Sequence, residues 1–223
     1  MIGCDCEVCT SDDPRDVRCR PSIFLEMGDG LRVLVDTTPD LRTQALRFGM
    51  GLDEVRRYNV LSKAPMPVYA DTRTLDALRR TFSYIFESGA PKGGGVPDLR
   101  LWTIGGRFSI GRQEVVPVPL KHGSWTILGF RFGPFAYLTD CNGIPDGSLE
   151  LLRGVEHVVL DALRRRPHPT HFTIDEAVTA ARRIGAARTY FTHIAHELGH
   201  AATCASLPPH MALAHDGLVL DIL

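Results

Sequence analysis

Three cysteines stand within six residues at Cys4-Asp5-Cys6-Glu7-Val8-Cys9. Thiolates at Cys-x-Cys-x2-Cys spacing can converge on one soft metal ion, and a fourth ligand from elsewhere would close a tetrahedral structural zinc site. Three thiols so close are too crowded to pair two by two, which weighs against a disulfide framework. All nine histidines lie after position 120, most of them at strand ends or in the loops that leave strands. His122 follows Val116-Pro117-Val118-Pro119-Leu120-Lys121 and precedes Gly123. Asp140 ends Phe135-Ala136-Tyr137-Leu138-Thr139, and His171 lies in Pro167-His168-Pro169-Thr170-His171-Phe172, stiffened by two prolines. His193 ends Thr189-Tyr190-Phe191-Thr192, with His196 three residues on. Each alone has an ordinary structural explanation as a hydrogen-bonded side chain or turn cap. Together, imidazoles and a carboxylate on successive strand ends make a ligand set for zinc, manganese or iron, and a carboxylate can bridge two ions. His157 and His210 read as structural or solvent-facing; His200 and His215 stay open.

The elements that must position these groups follow from pattern. Ser22 to Met27 and Leu31 to Asp36 flank Gly28-Asp29-Gly30 and read as a hairpin. Asp40 to Phe48 carries a helical face, and Gly49-Met50-Gly51 leads straight into a second helical stretch, Leu52 to Arg57, where a layered α/β chain would return to its sheet. Pro67 to Ala70 is a strand and Asp71 to Phe86 a helix capped at Asp71 or Thr72. Gly93-Gly94-Gly95 lacks the Lys-Ser/Thr of a phosphate loop. Strands are expected over 99–104, 113–118, 126–132, 135–139 and 158–160. A helix over 173–184, a strand over 189–192, a helix from His196 towards Cys204 and a hairpin through His215-Asp216-Gly217 close the chain. The order suggests two sheets between helical layers.

With 223 residues and 44% hydrophobic side chains, one domain spanning 1–223 is expected. A net charge of −1 gives no chain-wide basic field, so nucleic acid is not expected as a partner. No apolar run is long enough to cross a membrane and no leader pattern occurs, which points to a cytoplasmic protein. The scattered Cys19, Cys141 and Cys204 suit reduced thiols.

The fragments Ile-Gly-Cys-x-Cys-x2-Cys, Val-Leu-Val-Asp-Thr, Pro-Val-Tyr-Ala, Leu-Lys-His-Gly, Tyr-Leu-Thr-Asp, Pro-Thr-His and Thr-His-Ile-x-His, in this order, resemble the metallo-β-lactamase superfamily. The nearest branch is the PhnP-like phosphodiesterases that open phosphoribosyl 1,2-cyclic phosphate. The resemblance implies an α/β fold, a four-layer αββα sandwich, with two catalytic divalent ions, zinc or manganese. It makes His122 and His193 terminal ligands and Asp140 the bridge, His196 the fourth ligand of a structural zinc with Cys4, Cys6 and Cys9, and His171 the catalytic histidine. A small phosphodiester substrate and a homodimer go with it.

One departure matters. The superfamily signature His-x-His-x-Asp-His is absent, and its place is the junction of Met50 and Gly51, where the strand and helix alternation breaks down. A strand and a ligand loop are missing there. Omission of a mobile loop from the sequence, deletion and natural degeneration all fit; omission fits best, because losing a central strand would cost more than the roughly 5–15 kcal/mol by which domains are stable. With both ions, hydroxide would attack phosphorus and His171 would serve the leaving oxygen as acid or charge stabiliser. Arg164-Arg165-Arg166 either hold a phosphate or form a solvated run. Other readings are a tRNA 3′-processing nuclease, thioesterase or lactonase on this scaffold, or a zinc-stabilised non-catalytic homologue.

Overall fold

The computed structural model describes residues 3–37, 40, 55–86 and 96–222, without the side chains of 55–58. The Met50-Gly51 junction, the helix expected beyond Asp40 and Gly93-Gly94-Gly95 lie outside the described residues. The chain divides into two compact units, Ser22–Arg107 and Met1–Pro21 with Phe108–Leu223.

Ser22–Arg107 opens with the expected hairpin. β1 (Ile23–Glu26) pairs antiparallel with β2 (Arg32–Val35). Gly30, at φ +80, allows the reversal. A helix, α1 (Val55–Ser62), occupies part of the stretch expected from Leu52. β3 (Met66–Ala70) precedes α2 (Thr72–Thr81), whose first turn is capped by Asp71 Oδ1, accepting the Thr74 N–H at 2.7 Å. The single helix expected to Phe86 instead breaks at Phe82, with φ −115 and ψ 42, and resumes as α3 (Ser83–Phe86). β4 (Leu99–Thr103) then runs parallel to β3.

The other unit joins the cysteine-bearing N-terminus to the C-terminal half. Its sheet has seven described strands: β5 (Phe108–Ile110), β6 (Gln113–His122), β7 (Trp125–Phe132), β8 (Phe135–Leu138), β9 (His157–Asp161), β10 (Arg188–Thr192) and β11 (Met211–Leu213), in the spatial order β11-β10-β9-β8-β7-β6-β5. β6 runs on to His122, past the expected end at Val118. β5 pairs only with Gln113 to Val115, and among the described residues no strand pairs with Pro117 or Pro119 on that side. β8 is buried along its whole length. Val118, Leu120, Leu138, Val158, Leu160 and Phe191 form the core with Ile174, Ala177 and Ala181 of α5 (Ile174–Ile184). A capping box fixes the start of α5, Thr173 Oγ1 accepting the Glu176 N–H while Glu176 accepts the Thr173 N–H, and Gly185 at φ +72 ends it.

A short helix not foreseen in the sequence, α4 (Asp146–Leu151), follows β8. The last helix, α6 (His200–Ser206), starts at Gly199 as its cap, not at His196, which lies in the preceding turn. The hairpin expected at His215-Asp216-Gly217 does not form; α6 returns the chain so that β11 pairs parallel with β10. No helix among the described residues is long and apolar enough to cross a membrane.

Candidate functional site

β8, β9 and β10 are parallel neighbours, with Leu138 beside Leu160 and Asp161 beside Thr192. Their carboxyl ends therefore share one sheet edge, and β6, antiparallel to β7 as β7 is to β8, brings His122 to it. Asp140 and His193 both leave their strands with left-handed backbone, φ +57 and +62. That region is costly for non-glycine residues and concentrates at functional sites.

Asp140, Asp161, His171 and His193 bring one donor atom each within 4.8 Å of one another. His193 Nε2 lies 3.0 Å from Asp140 Oδ1, and His171 Nδ1 lies 3.0 Å from Asp161 Oδ2. The His171 and His193 rings stack at 4.5 Å. His122 stands just outside this group, its ring 4.9 Å from that of His171. Among the described residues, His122 Nδ1, His193 Nδ1 and Asp161 Oδ1 are buried without a hydrogen-bond partner, which fits nitrogen and oxygen atoms available to a metal ion. Imidazole and carboxylate donors of this kind fit a borderline or hard divalent ion, with Asp140 and His193 in contact and His122 at the rim of the group.

Burial pushes the Asp161 carboxyl up, against the pull of its His171 hydrogen bond. Burial also opposes charge on Asp140 and His193. Their mutual contact wins, holding the Asp140 carboxyl below and the His193 imidazole above their ordinary values. His168, 4.9 Å from His171, is kept low by burial and by the His171 charge. Its Nδ1 accepts the Thr170 N–H at 3.3 Å, leaving its proton on Nε2.

Asp161, Asn142 and His168 were not singled out from sequence. Asp161 carries the same signal as Asp140, a carboxylate closing the apolar run Val158-Val159-Leu160. Asn142 Oδ1 accepts the Gly123 N–H at 3.0 Å and its Nδ2 donates to Pro169 O at 2.9 Å, tying the turn after His122 to the loop of His171. Arg164 donates to Arg166 O and Pro167 O, and Arg166 pairs with Glu197 at 2.6 Å. These two arginines brace loops.

The second cluster joins Cys4, Cys6, Cys9 and His196, again within 4.8 Å. His196 Nδ1 is 3.5 Å from Cys4 Sγ and 3.3 Å from Cys6 Sγ. Thiolate and imidazole on a tetrahedral zinc, at bond lengths of 2.3 and 2.0–2.1 Å, stand about 3.6 Å apart, so these donors fit that ion. His196 draws the Cys6 thiol down to about 6. The Cys6 backbone favours the Cys4 thiolate, but the Cys6 side chain and burial outweigh it and raise Cys4. His193 and His196 thus open and close one four-residue turn that faces both clusters.

A beta-lactamase superfamily domain matches residues 49–194. A solved structure described as a new diphosphatase from the PhnP family is 42% identical, covers 100% of this chain and 92% of that one, and superposes with a TM-score of 0.89. Zinc-bound PqqB from Methylobacterium extorquens, 17% identical over 99% of this chain and 95% of its own, shares the fold at a TM-score of 0.70. An octanoyltransferase of Porphyromonas gingivalis is 32% identical over 238 positions, covering 97% of this chain but 48% of that protein. The chain spans about half the length of that relative, and the alignment, longer than the chain itself, shows that the relative carries positions this chain lacks. Fold class and sequence agree: the chain has the metallo-β-lactamase fold and belongs to the PhnP family of that superfamily.

Proposed function

We propose that the chain is a metal-dependent phosphodiesterase that hydrolyses a small cyclic phosphate ester, of the phosphoribosyl 1,2-cyclic phosphate kind. The observation that carries the reading is the meeting of the Asp140–His193 and Asp161–His171 pairs within 4.8 Å, beside His122. Divalent ions, when bound, lower the pKa of water and offset charge on a phosphoryl group. His122, His193 and Asp140 would hold them, and Cys4, Cys6, Cys9 and His196 would hold a structural zinc. Asp161 accepts a hydrogen bond from His171 Nδ1–H and stabilises the doubly protonated imidazolium, whose Nε2–H would give its proton to the departing sugar oxygen and leave the neutral Nδ1–H ring. Asn142 keeps the loops of His122 and His171 in register.

Hydrolysis of phosphoribosyl 1,2-cyclic phosphate with zinc and with manganese, followed by phosphorus NMR, tests this; turnover with either ion is expected, and none with both defeats it. The missing His-x-His-x-Asp-His favours a second reading, a zinc-stabilised scaffold without a hydrolytic centre. It predicts one metal ion per chain and no turnover.

A further inference from the structure

His168 sits in the loop between β9 and α5, and that loop is pinned on both sides of it. Arg164 donates to Pro167 O and Asn142 to Pro169 O, each at 2.9 Å. His168 Nδ1 accepts the Thr170 N–H at 3.3 Å. Thr170 in turn packs on the turn after His122, since a Cβ on Gly123, at φ +61, would come within 3.0 Å of Thr170 Cγ2. A backbone N–H can only donate, so Nδ1 gives its lone pair to Thr170 and the neutral ring carries its proton on Nε2. The side chain is half-buried, and its Nε2 has no partner among the described residues.

Three imidazoles surround that of His171: His193 at 4.5 Å, His122 at 4.9 Å and His168 at 4.9 Å, the last inclined by 46°. His193 and His122 are candidate metal ligands. His168 is not, because one of its nitrogens is engaged by Thr170 and the other carries a proton, which leaves no lone pair for an ion. What its Nε2–H can do is donate. Burial and the positive charges of His171 and Arg164 favour the neutral ring, and the same charges favour an anionic acceptor beside it. A cyclic phosphodiester has unesterified oxygens that share a negative charge. Ring centres 4.9 Å apart let one such group meet both His171 and His168.

We propose that His168 is a substrate-binding residue of this site, its Nε2–H donating to an unesterified phosphoryl oxygen while His171 serves the leaving oxygen. The inference rests on the phosphodiesterase reading. Steady-state hydrolysis of phosphoribosyl 1,2-cyclic phosphate by the metal-loaded full chain and three variants tests it. His168→Ala should lower kcat/KM about 10- to 100-fold, the scale of a lost hydrogen bond to a charged group. His168→Asn keeps an oxygen to accept the Thr170 N–H but cannot reach past it, so it should be as slow as the alanine variant. His168→Gln carries an amide N–H out to about the place of Nε2 and should recover most of the activity. An asparagine variant as active as the unaltered chain means that the ring only caps its loop, and overturns the proposal. Calorimetric titration of the zinc-loaded chain with inorganic phosphate reads binding without turnover. Its Kd should rise roughly tenfold or more in His168→Asn, and an unchanged Kd counts against His168. Turnover by the unaltered chain with no loss in His168→Asn removes the role of His168 alone, whereas weaker phosphate binding by that variant, without turnover in any chain, upholds the role and removes the hydrolytic reading.

Discussion

Asp161 gives the His171 imidazole a fixed tautomer and direction, and the pair sits where burial strengthens the contact. His171→Ala should lower kcat by about 10²–10⁴ with metal content unchanged, and Asp161→Asn should act in the same direction because an amide can no longer fix the Nδ1 proton. Metal analysis beside steady-state kinetics checks both; loss of metal in either variant would reassign that residue to ligation. Cys6 supplies a test that needs no substrate. In metal-free protein its thiol, drawn down to about 6 by His196, should be alkylated by iodoacetamide faster than any other cysteine at pH 7, and zinc should protect it. The sign for stability follows from the same depressed value. The contribution is full above the ordinary thiol value of 9.0, shrinks as pH falls, and is gone below about 6. Strand-end residues such as His122, Asp140 and His193 were legible because each closes an apolar run. Asn142 was not, since its partners lie 19 and 27 residues away and nothing local marks them.

Two glycines separate packing from propensity at the scale of elements. A Cβ on Gly129, in mid-β7, would come within 2.7 Å of Leu138 Cδ2 and 2.9 Å of both Leu120 Cδ1 and Tyr137 O. Gly129→Ala should therefore cost about 1–3 kcal/mol and lower Tm by several degrees. Gly147, in α4, meets nothing within 4 Å, so Gly147→Ala should be neutral or stabilise by up to about 1 kcal/mol. Thermal melts of the two variants check the contrast. Element types were read correctly where period and caps agreed, as for β7, β8 and α5. They were misread where tertiary pairing decided. β6 runs past its expected end at Val118 to His122, and the turn signal at His215-Asp216-Gly217 suggested a hairpin where β11 pairs parallel with β10.

Across the molecule, the N-terminal segment reaches the turn between His193 and His200 by more than its thiols. Arg18 donates to Ala195 O and Leu198 O and pairs at 2.8 Å with Asp16, which also accepts the His200 N–H. Both members of the pair are nearly buried, so Arg18→Ala should cost about 3–5 kcal/mol and speed zinc loss to a chelator. Unchanged zinc retention would separate this pair from the cysteine cluster. The fold was legible at this scale through an ordered series of short motifs spread over the chain. The Met50-Gly51 junction stood out because strand alternation and ligand signature failed at one point. We propose a hydrolytic metal centre at the sheet edge and a separate structural metal site in the cysteine cluster. Elemental analysis of protein reconstituted with zinc tests it most directly: about three ions per chain are expected, one of them lost in Cys6→Ser, whereas a single ion per chain that disappears in Cys6→Ser would contradict it.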